Sequence, residues 1–372
     1  MVKVGINGFG RIGRIAFRIA LAKHISDIEI AAINTSGSMP PSGWAHLVNY
    51  DTMYRKFELE IKGEDVKKPE EASDENPLIG YLTSPGKGFK IPILAQRDPA
   101  KIPWKQYGVD VVIEATGKFA SEEEAKKHAF GGAKRVVISA PVKGGNIETF
   151  ILGVNEYKGL AQVISNSSCT TNCIAPVVAA LSAAFGVEKA VMTTVHSYTD
   201  DQNLQDNSHE DLRRARAAAE NIIPTTTGAA ISTTETIPEL KGKFDGTALR
   251  VPTATGSITD LTLLLKKDVT VEEVNKAFID ATNNAIYKGI LAVSELPLVS
   301  SDIIGRSESA IVDLSLTQVV AGNLVKVFAW YDNEWGYANR LVEQVIRVGK
   351  SLETGVAPSD PLTLTFQPKS TV

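Results

Sequence analysis

Residues 2–13 read VKVGINGFGRIG, an apolar run that leads directly into closely spaced glycines. Val2 to Asn7 predicts a buried strand, and a helical pattern follows from Arg14 to Ala22. The glycines between them match Gly-x-Gly-x-x-Gly, which permits a tight turn, close approach of the backbone to a pyrophosphate, and packing of a helix on a strand. The stretch therefore predicts the strand, turn and helix that begin a dinucleotide-binding domain.

Strand and helix patterns go on alternating as far as about residue 165. Buried strands are predicted at Ile28 to Ile33, Ile91 to Leu94, Val109 to Glu114 and Arg135 to Ser139. Such alternation is typical of an α/β domain with a doubly wound, mostly parallel sheet of the Rossmann type. Residues 57–92 interrupt the pattern, because they are charged and broken by prolines. We predict that they form a surface insertion with turns and a hairpin, and that they carry no chemistry.

The second half of the chain has a different order of patterns. Ser257 to Lys266 and Val325 to Tyr331 are apolar strand patterns, and a capped helix that begins after Thr270 lies between them. This order predicts an α+β domain on a largely antiparallel sheet. The predicted units are a dinucleotide-binding domain (1–168), a second domain (169–333), a helix that completes the first domain (334–352) and a flexible tail (353–372).

The composition limits the possible functions. The chain has 372 residues, of which 43% are apolar, and a net charge of −4, so it can bury two cores and offers no basic surface for nucleic acid. No apolar run reaches the roughly 18 residues of a membrane-spanning helix. The two cysteines are too few for a disulfide framework, and no metal-ligand spacing is present. We expect a cytoplasmic protein that binds no nucleic acid, membrane or metal.

A cysteine-containing stretch, Ser165 to Cys173 (SNSSCTTNC), lies where a strand pattern ends and an Ala-rich helical pattern begins. A helix N-terminus carries about half a positive charge, so we expect a lowered pKa for the Cys169 thiol and a nucleophilic thiolate. The hydroxyls of Ser168 and Thr170, with the free N–H groups of the helix, suit an anion. A free cysteine is also a common core residue, so this stretch alone does not establish catalysis.

A histidine strengthens the catalytic interpretation. Thr193 to Thr199 reads TTVHSYT and ends the next strand pattern, so His196 can meet Cys169 in space. A lone histidine is more often structural, but the two residues together favour a Cys–His pair. Cys173 lies one helical turn beyond Cys169 and is expected in the core.

These two stretches resemble phosphorylating glyceraldehyde-3-phosphate dehydrogenases, and the resemblance covers nearly the whole chain except residues 57–92 and the tail. It implies a catalytic second domain and a homotetramer. The implied reaction is the reversible oxidation of glyceraldehyde 3-phosphate, with a nicotinamide cofactor and inorganic phosphate, to 1,3-bisphosphoglycerate. Cys169 would add to the aldehyde and His196 would take the proton. Hydride would then pass to the nicotinamide, and phosphate would attack the thioester.

The resemblance also implies the positions of the binding sites. The substrate phosphate would be held by Thr199 and Arg250, with Asp201 nearby. The inorganic phosphate would be held by Ser168, Thr170, Thr227 and Gly228, with Arg214 at the edge. The cofactor would lie against Gly8, Gly10, Arg11, Ile12, Gly13, Asn34, Thr35, Arg97, Thr116, Gly117, Ser139, Ser208, Asn333 and Tyr337.

The end of the second predicted strand bears on the choice between NAD and NADP. NAD-binding domains commonly place a carboxylate there, where this chain has Asn34 followed by Thr35. An Asp would repel a 2′-phosphate, whereas an amide and hydroxyls can donate hydrogen bonds to one. By resemblance, Ser208 lies in a subunit-contact loop where NADP-using relatives bind the phosphate of a neighbour's cofactor. We expect NADP to be preferred or used beside NAD. The alternative is that the loop after Asn34 is only a polar turn.

Three further alternatives stay open. Erythrose-4-phosphate dehydrogenase resembles the same cysteine stretch, although Thr199 and Thr227 favour the three-carbon phosphate. A nucleotide-binding redox sensor that uses Cys169 without turnover would keep the same fold. The arginines at 213, 214 and 216 fit either a subunit contact or a solvated helix face.

Overall fold

A computed structural model of the chain describes residues 1–142, 146–159 and 161–354, so most of the predicted tail 353–372 lies outside the described residues. The strands are β1 (Val2–Asn7), β2 (Ile28–Thr35), β3 (Tyr50–Asp51), β4 (Arg55–Lys56), β5 (Lys62–Asp65), β6 (Leu78–Ser84), β7 (Phe89–Ala95), β8 (Val111–Glu114), β9 (Arg135–Ile138), β10 (Glu148–Thr149), β11 (Val163–Ser165), β12 (Val187–Ser197), β13 (Ile223–Thr226), β14 (Phe244–Val251), β15 (Ser257–Leu265), β16 (Leu291–Ser294), β17 (Ala310–Val320) and β18 (Leu324–Tyr331). The helices are α1 (Arg11–Lys23), α2 (Pro41–Asn49), α3 (Glu122–Lys126), α4 (Cys169–Phe185), α5 (Ala229–Thr236), α6 (Val271–Thr282) and α7 (Trp335–Thr354).

The first sheet has the strand order β10-β11-β9-β8-β1-β2-β7-β6-β5. Its strands from β10 to β7 are parallel, and β6 and β5 add an antiparallel edge. The chain passes from β1 to β2 on one side and later to β8 on the other, so the strand order reverses at β1. Ligands of doubly wound sheets bind at such a point, beyond the carboxyl ends of the strands. The predicted doubly wound, mostly parallel sheet is confirmed.

The carboxyl ends of these parallel strands bring distant residues to one edge of the sheet. Gly8 follows β1, Arg97 follows β7, Thr116 follows β8 and Ser139 follows β9. Cys169 comes shortly after β11 at the same edge. The topology therefore places the candidate nucleophile near the glycine motif, although the two are far apart in the sequence.

Residues 57–92 belong to this sheet. They supply β5, β6 and most of β7, and Phe57, Ile61, Ile79 and Leu82 are buried in the core of the first domain. The predicted hairpin is present, since β6 pairs antiparallel with β5 and with β7, but the prediction of a surface insertion is wrong for β6 and β7, whose residues are largely buried. The bounds of these strands were not predicted, because β5 (KGED) has no apolar residue and β6 (LIGYLTS) has no regular alternation of apolar and polar residues.

Helix α7 returns from the second domain to the first. Leu341, Val342 and Val345 are fully buried in the same cluster as the residues of β1. Gly349 allows a close approach of the helix, because an added Cβ would lie 2.2 Å from Cγ1 of Val2. The helix thus packs the end of the described chain against its first strand.

The second sheet has the order β13-β14-β12-β15-β18-β17-β16. Its pairs are antiparallel except for β12 with β14 and β16 with β17. Apolar residues of α4, α5 and α6 share one buried cluster with those of the sheet. The predicted α+β domain on a largely antiparallel sheet is confirmed, with two parallel pairs. One of these, β12 with β14, positions the candidate site.

Candidate active site

The turn between β11 and α4 holds Cys169 in place. Ser167 is fully buried in the left-handed conformation (φ 54°), and its backbone N–H donates to Ser165 Oγ at 2.9 Å. Ser168 caps α4, since its Oγ accepts from the Thr171 N–H at 3.1 Å. Cys169 is then the first residue of the helix and is partly buried. A strained residue held by several hydrogen bonds is typical of a functional turn.

His196 faces this thiol from the end of β12. The Sγ atom of Cys169 and the Nε2 atom of His196 are 3.3 Å apart. The other ring nitrogen, Nδ1, lies 2.6 Å from the backbone oxygen of Ser197, which can only accept a hydrogen bond. Nδ1 therefore carries the proton of the neutral ring, and the lone pair of Nε2 is directed at the thiol. The structure brings the predicted Cys–His pair together.

The electrostatics of the pair differ from the sequence-based expectation. Burial raises the pKa of the Cys169 thiol, against the opposing effects of Arg250 and of hydrogen bonds from Thr170. Burial, together with repulsion by Arg250, lowers the pKa of His196 to about 4. The prediction of a lowered Cys169 pKa is wrong because loss of water outweighs the nearby positive charge. At neutral pH the resting pair is a thiol beside a neutral imidazole, which can take the proton as the sulfur attacks.

Arg250 lies on β14, directly beside His196 on the parallel strand β12. Its Nη1 donates to the Ser197 carbonyl at 3.3 Å and to the Thr199 hydroxyl. Its Nε is buried with no hydrogen-bond partner within the described residues. Asp201 Oδ1 lies 4.0 Å from Nη1, and the unsatisfied N–H of the buried Nε favours a further anion at this site. Arg250 and Thr199 thus form an anion-binding corner next to the catalytic pair.

Arg214 lies at the edge of this corner, but its guanidinium is already engaged. Nη1 forms an ion pair with Asp201 at 2.7 Å, and Nε and Nη2 donate to the Thr225 hydroxyl at 3.0 and 2.9 Å. Asp201 also accepts a hydrogen bond from Thr199. Arg214 is therefore connected through Asp201 to Thr199, in addition to the role predicted for it at the edge of the inorganic-phosphate site.

The residues predicted for inorganic phosphate do not all face the same way. The Thr170 hydroxyl is buried and lies 2.9 Å from the Tyr331 hydroxyl. Thr227 and Gly228 precede α5 and are accessible, as is part of Ser168. Ser168, Thr227 and Gly228 therefore keep accessible groups, whereas the Thr170 hydroxyl is turned toward the core.

The glycine turn after β1 fits a bound dinucleotide. An added Cβ at Gly8 would lie 2.7 Å from the Thr116 backbone nitrogen, and one at Gly13 would lie 2.1 Å from the Gly8 oxygen. A Cβ at Gly10 would meet nothing within 4 Å. The outer glycines are therefore required by packing, and Gly10 borders open space that a pyrophosphate could enter. The first turn of α1 has no acidic side chain that would neutralise its positive end.

Arg11 and Ile12 form the start of α1, but the Arg11 side chain is not free. Its Nη1 pairs with Asp51 at 2.5 Å, and its Nε donates to Glu334 at 2.8 Å. The guanidinium thus ties the first domain to the segment before α7. What Arg11 and Ile12 can offer to a pyrophosphate is their backbone N–H groups.

Asn34 and Thr35 are also engaged. Asn34 is 2% exposed, and its amide donates to Asn7 Oδ1 at 2.7 Å and to the Gln96 carbonyl at 2.8 Å. The buried Thr35 hydroxyl donates to the Leu94 carbonyl at 3.0 Å. Because both amide N–H groups are used, Asn34 has no donor left for a 2′-phosphate. The expectation that these two side chains donate to that phosphate does not fit the structure.

A buried carboxylate that was not predicted holds the neighbouring loop. Glu114 ends β8 and accepts from Asn7 Nδ2 at 2.5 Å and from the Thr116 N–H at 2.8 Å. His128 Nε2 lies 2.9 Å from the same carboxylate, while Trp104 donates to His128 Nδ1 at 3.0 Å. The network fixes Thr116 and, with it, Gly117 at the crevice. The available sequence signal was a carboxylate at the end of an apolar strand pattern.

Tyr337 contacts the cysteine turn, and Asn333 is held beside the start of β15. Asn333 Oδ1 accepts from the Ser257 hydroxyl at 3.0 Å, which orients the amide, and the hydrogen bonds of Asn333 to other described residues all involve Oδ1, not Nδ2. The Tyr337 hydroxyl donates to the Ser167 carbonyl at 2.9 Å and lies 3.1 Å from Ser139 Oγ. Tyr337 therefore joins Ser139 to the turn that carries Cys169, whereas Asn333 keeps a free donor.

The remaining predicted residues, Arg97 and Ser208, are exposed. Ser208 lies in a loop where Leu204 and Leu212 are each 81% exposed. Cys173 is in the core, as expected. In the part of the chain that the structure describes, no group of three or more His, Cys, Asp or Glu residues could hold a metal. No helix among those residues is long and apolar enough to cross a membrane.

Comparison with known proteins agrees with this geometry. Residues 2–122 match the family described as glyceraldehyde 3-phosphate dehydrogenase, NAD binding domain, and residues 168–333 match the C-terminal domain of the same family. The chain is 50% identical to a glyceraldehyde-3-phosphate dehydrogenase of Streptomyces coelicolor, with 94% of this chain and 99% of the relative covered. It is 48% identical to glyceraldehyde-3-phosphate dehydrogenase 1 of Bacillus cereus, with 92% and 97% covered. The chain therefore belongs to the glyceraldehyde-3-phosphate dehydrogenase family, with its NAD-binding and C-terminal domains.

Proposed function

We propose that this protein catalyses the reversible phosphorylating oxidation of D-glyceraldehyde 3-phosphate to 1,3-bisphosphoglycerate with NAD or NADP. The observation that carries the proposal is the Cys169–His196 pair, in which a histidine lone pair lies 3.3 Å from a thiol at a helix start. Arg250 adds an anion site beside this pair, because its buried Nε lacks a partner within the described residues. A nucleophile, a base and a phosphate site beside a dinucleotide-binding edge support an aldehyde dehydrogenase that forms a thioester.

The positions of the protons on Cys169 and His196 determine which group donates or accepts a proton in each step. As Cys169 Sγ attacks the aldehyde carbon, its proton passes to His196 Nε2 and then to the oxyanion, which gives a thiohemiacetal. A bound nicotinamide supplies the hydride acceptor. His196 takes the hydroxyl proton as hydride leaves the thiohemiacetal carbon. Phosphate then attacks the thioester, and Cys169 leaves as a thiolate that recovers its proton from His196.

Two anion sites are required, one for the phosphate of the aldehyde and one for inorganic phosphate. We assign the first to Arg250 and Thr199, whose side chains meet next to His196. We assign the second to Ser168, Thr227 and Gly228, which keep accessible groups at the starts of two helices. Thr170 contributes its backbone at the start of α4, and Arg214 supports the edge between the two sites through Asp201.

The cofactor would lie along the carboxyl edge of the first sheet. Its pyrophosphate would meet the backbone at Gly10, Arg11 and Ile12. Its carboxamide would meet the free Nδ2 of Asn333. Dual use of NAD and NADP is supported because no carboxylate ends β2, and Asn34 is buried and engaged there.

The quaternary structure and the compartment follow from the same proposal. The exposed leucines near Ser208 support a homotetramer in which this loop is covered by a neighbour and reaches its cofactor. Both cysteines are free, which supports a reducing compartment such as the cytoplasm.

The proposal is tested by following the absorbance of reduced nicotinamide with glyceraldehyde 3-phosphate, with and without inorganic phosphate. We expect sustained turnover only when phosphate is present. Turnover that is independent of phosphate, or faster with erythrose 4-phosphate, would favour the erythrose-phosphate enzyme or a non-phosphorylating dehydrogenase. Nucleotide binding without turnover would favour the redox sensor.

A further inference from the structure

Residues 66–77, which connect β5 to β6 and are called the wall segment below, fold back over the cofactor edge of the first sheet. Pro69 lies against Gly37, since an added Cβ at Gly37 would lie 3.6 Å from the Pro69 Cβ. The segment has its own turns, in which the Ser73 N–H donates to the Asn76 carbonyl at 3.2 Å. It is therefore an ordered part of the first domain.

A hydrogen-bonded chain anchors the wall segment to the sheet. Gln96 Nε2 donates to Asp74 Oδ1 at 3.0 Å, and the Gln96 N–H donates to Asn34 Oδ1 at 3.0 Å. The other Asp74 oxygen pairs with Lys101 at 2.5 Å. Asp74 thus links the wall segment to the buried end of β2, and its charge is balanced by Lys101.

The wall segment encloses a cavity of about 330 Å³ beyond the ends of β2 and β7. Ser36 and Arg97 line it from the sheet, and Pro69, Glu70, Ser73 and Asp74 line it from the wall segment. The adenosine half of a dinucleotide lies beyond the second strand of such a sheet, away from the turn that holds the pyrophosphate. The cavity is therefore in the position of the adenosine ribose.

The charges that line this cavity are of both signs. Asp74 is neutralised by Lys101, whereas Glu70 and Arg97 have neither a hydrogen bond nor an ion pair within the described residues. Both are solvent-exposed side chains. One unpaired cation and one unpaired carboxylate therefore face the same space, where a ribose carries either a 2′-hydroxyl or a 2′-phosphate.

We propose that Arg97 and Glu70 together set the choice between NADP and NAD, with the wall segment supplying the carboxylate that the end of β2 lacks. Arg97 attracts a 2′-phosphate, and Glu70 repels it while it can accept a hydrogen bond from a 2′-hydroxyl. Because the opposed charges of Arg97 and Glu70 are similarly exposed, neither nucleotide is excluded, and the protein uses both NAD and NADP. This inference rests on the NAD(P) use proposed above.

The test is titration calorimetry of NAD and NADP binding to the wild type and to Glu70→Gln, Arg97→Gln and Glu75→Gln. Glu75 is a matched control, because it is an exposed carboxylate of the wall segment that does not line the cavity. Glu70→Gln is expected to tighten NADP binding about fivefold, and Arg97→Gln to weaken it about fivefold, as is usual for solvent-exposed charges. NAD binding should change less than about twofold in both variants, and both effects should shrink at high salt.

Parallel changes in the two dissociation constants would overturn the proposal, because a structural effect does not distinguish the nucleotides. It would also be overturned if neither variant changed the ratio, or if Glu75→Gln changed it as much as Glu70→Gln. Because binding is measured without turnover, a protein that binds both nucleotides but does not oxidise the aldehyde would contradict the proposed function alone.

Discussion

His196 shows at the scale of one residue how burial decides the chemistry. Its pKa is lowered to about 4, and the pKa of Cys169 is raised, so the pair does not rest as an ion pair. The imidazole is then already in its basic form at neutral pH. It activates the thiol during attack, when the proton can move along the short contact between Sγ and Nε2.

We predict a two-part pH profile for alkylation of the apoenzyme by iodoacetamide, a neutral reagent. With His196 neutral above a pKa of about 4, the wild type should show a rate that is independent of pH in the weakly acidic and neutral range. The rate should then rise in alkaline solution as the thiolate forms, because the pKa of Cys169 is raised. His196→Asn should lose the level part and keep the alkaline rise.

His196→Asn should also slow the oxidation of the aldehyde by about 100- to 10,000-fold, as for other positioned acid–base groups, and leave cofactor binding nearly unchanged. Stopped-flow kinetics and titration of NAD separate the two effects. If wild type and His196→Asn had the same alkylation profile, the imidazole would not activate the thiol.

At the scale of elements, the start of α4 has both a structural and a binding role, and two substitutions at Ser168 separate them. Ser168→Ala removes the cap and should lower the free energy of unfolding by about 1 kcal/mol. Ser168→Asp keeps a capping oxygen but adds a negative charge where we assign inorganic phosphate. It should unfold like the wild type in urea and yet raise the KM for phosphate more than Ser168→Ala. An equal KM for phosphate in both variants would remove Ser168 from that site.

The close contact between α7 and β1 can be tested by a substitution at Gly349. Alanine normally stabilises a helix by about 1 kcal/mol relative to glycine. At Gly349 the sign should reverse, because a Cβ would lie 2.2 and 2.5 Å from the two methyl carbons of Val2, and such overpacking typically costs about 1–3 kcal/mol. Gly43→Ala in α2 is the control, since its nearest contact would be 3.4 Å. Urea unfolding in which Gly349→Ala is as stable as Gly43→Ala would contradict this packing.

The elements could be predicted from the sequence where local pattern and burial agree. β1 and β8 are mainly apolar, and β12 is rich in β-branched residues. Each strand ends at or just before a chemically distinctive residue, so both the strands and those residues were predictable. β5 and β6 were predicted only as a hairpin without bounds, since β5 (KGED) has no apolar residue and β6 (LIGYLTS) shows no regular alternation. The engagement of Arg11 by Glu334 depends on the return of α7, which no local pattern indicates.

At the scale of the whole molecule, the sequence predicted two domains and the meeting of Cys169 with His196. It did not predict the sign of the Cys169 pKa shift, because the loss of water around the thiol depends on tertiary packing. The sequence also predicted that the Asn34 amide would donate to the cofactor. In the folded protein this amide donates to Asn7 and Gln96 instead, and these contacts likewise depend on tertiary packing.

The proposed tetramer predicts a role for Ser208 in binding the cofactor of a neighbouring subunit. If Ser208 reaches a neighbour's cofactor, Ser208→Ala should weaken NADP binding about two- to tenfold, as for the loss of one hydrogen bond, and leave NAD binding unchanged. Gln205→Ala, which removes an exposed side chain of the same loop, is the control. Sedimentation should give a mass near four times the 40.0 kDa of one chain for all three proteins. A monomeric wild type that still binds NADP would contradict the role across subunits.

The proposed reaction passes through a thioester on Cys169 that only phosphate resolves. The most direct measurement is rapid mixing of enzyme, cofactor and glyceraldehyde 3-phosphate without phosphate, followed by mass analysis of the quenched protein. We predict a burst of about one reduced nicotinamide per active subunit and an acyl group on the peptide that contains Cys169, with turnover resuming when phosphate is added. Steady oxidation without phosphate, or no acyl group on Cys169 after the burst, would contradict it.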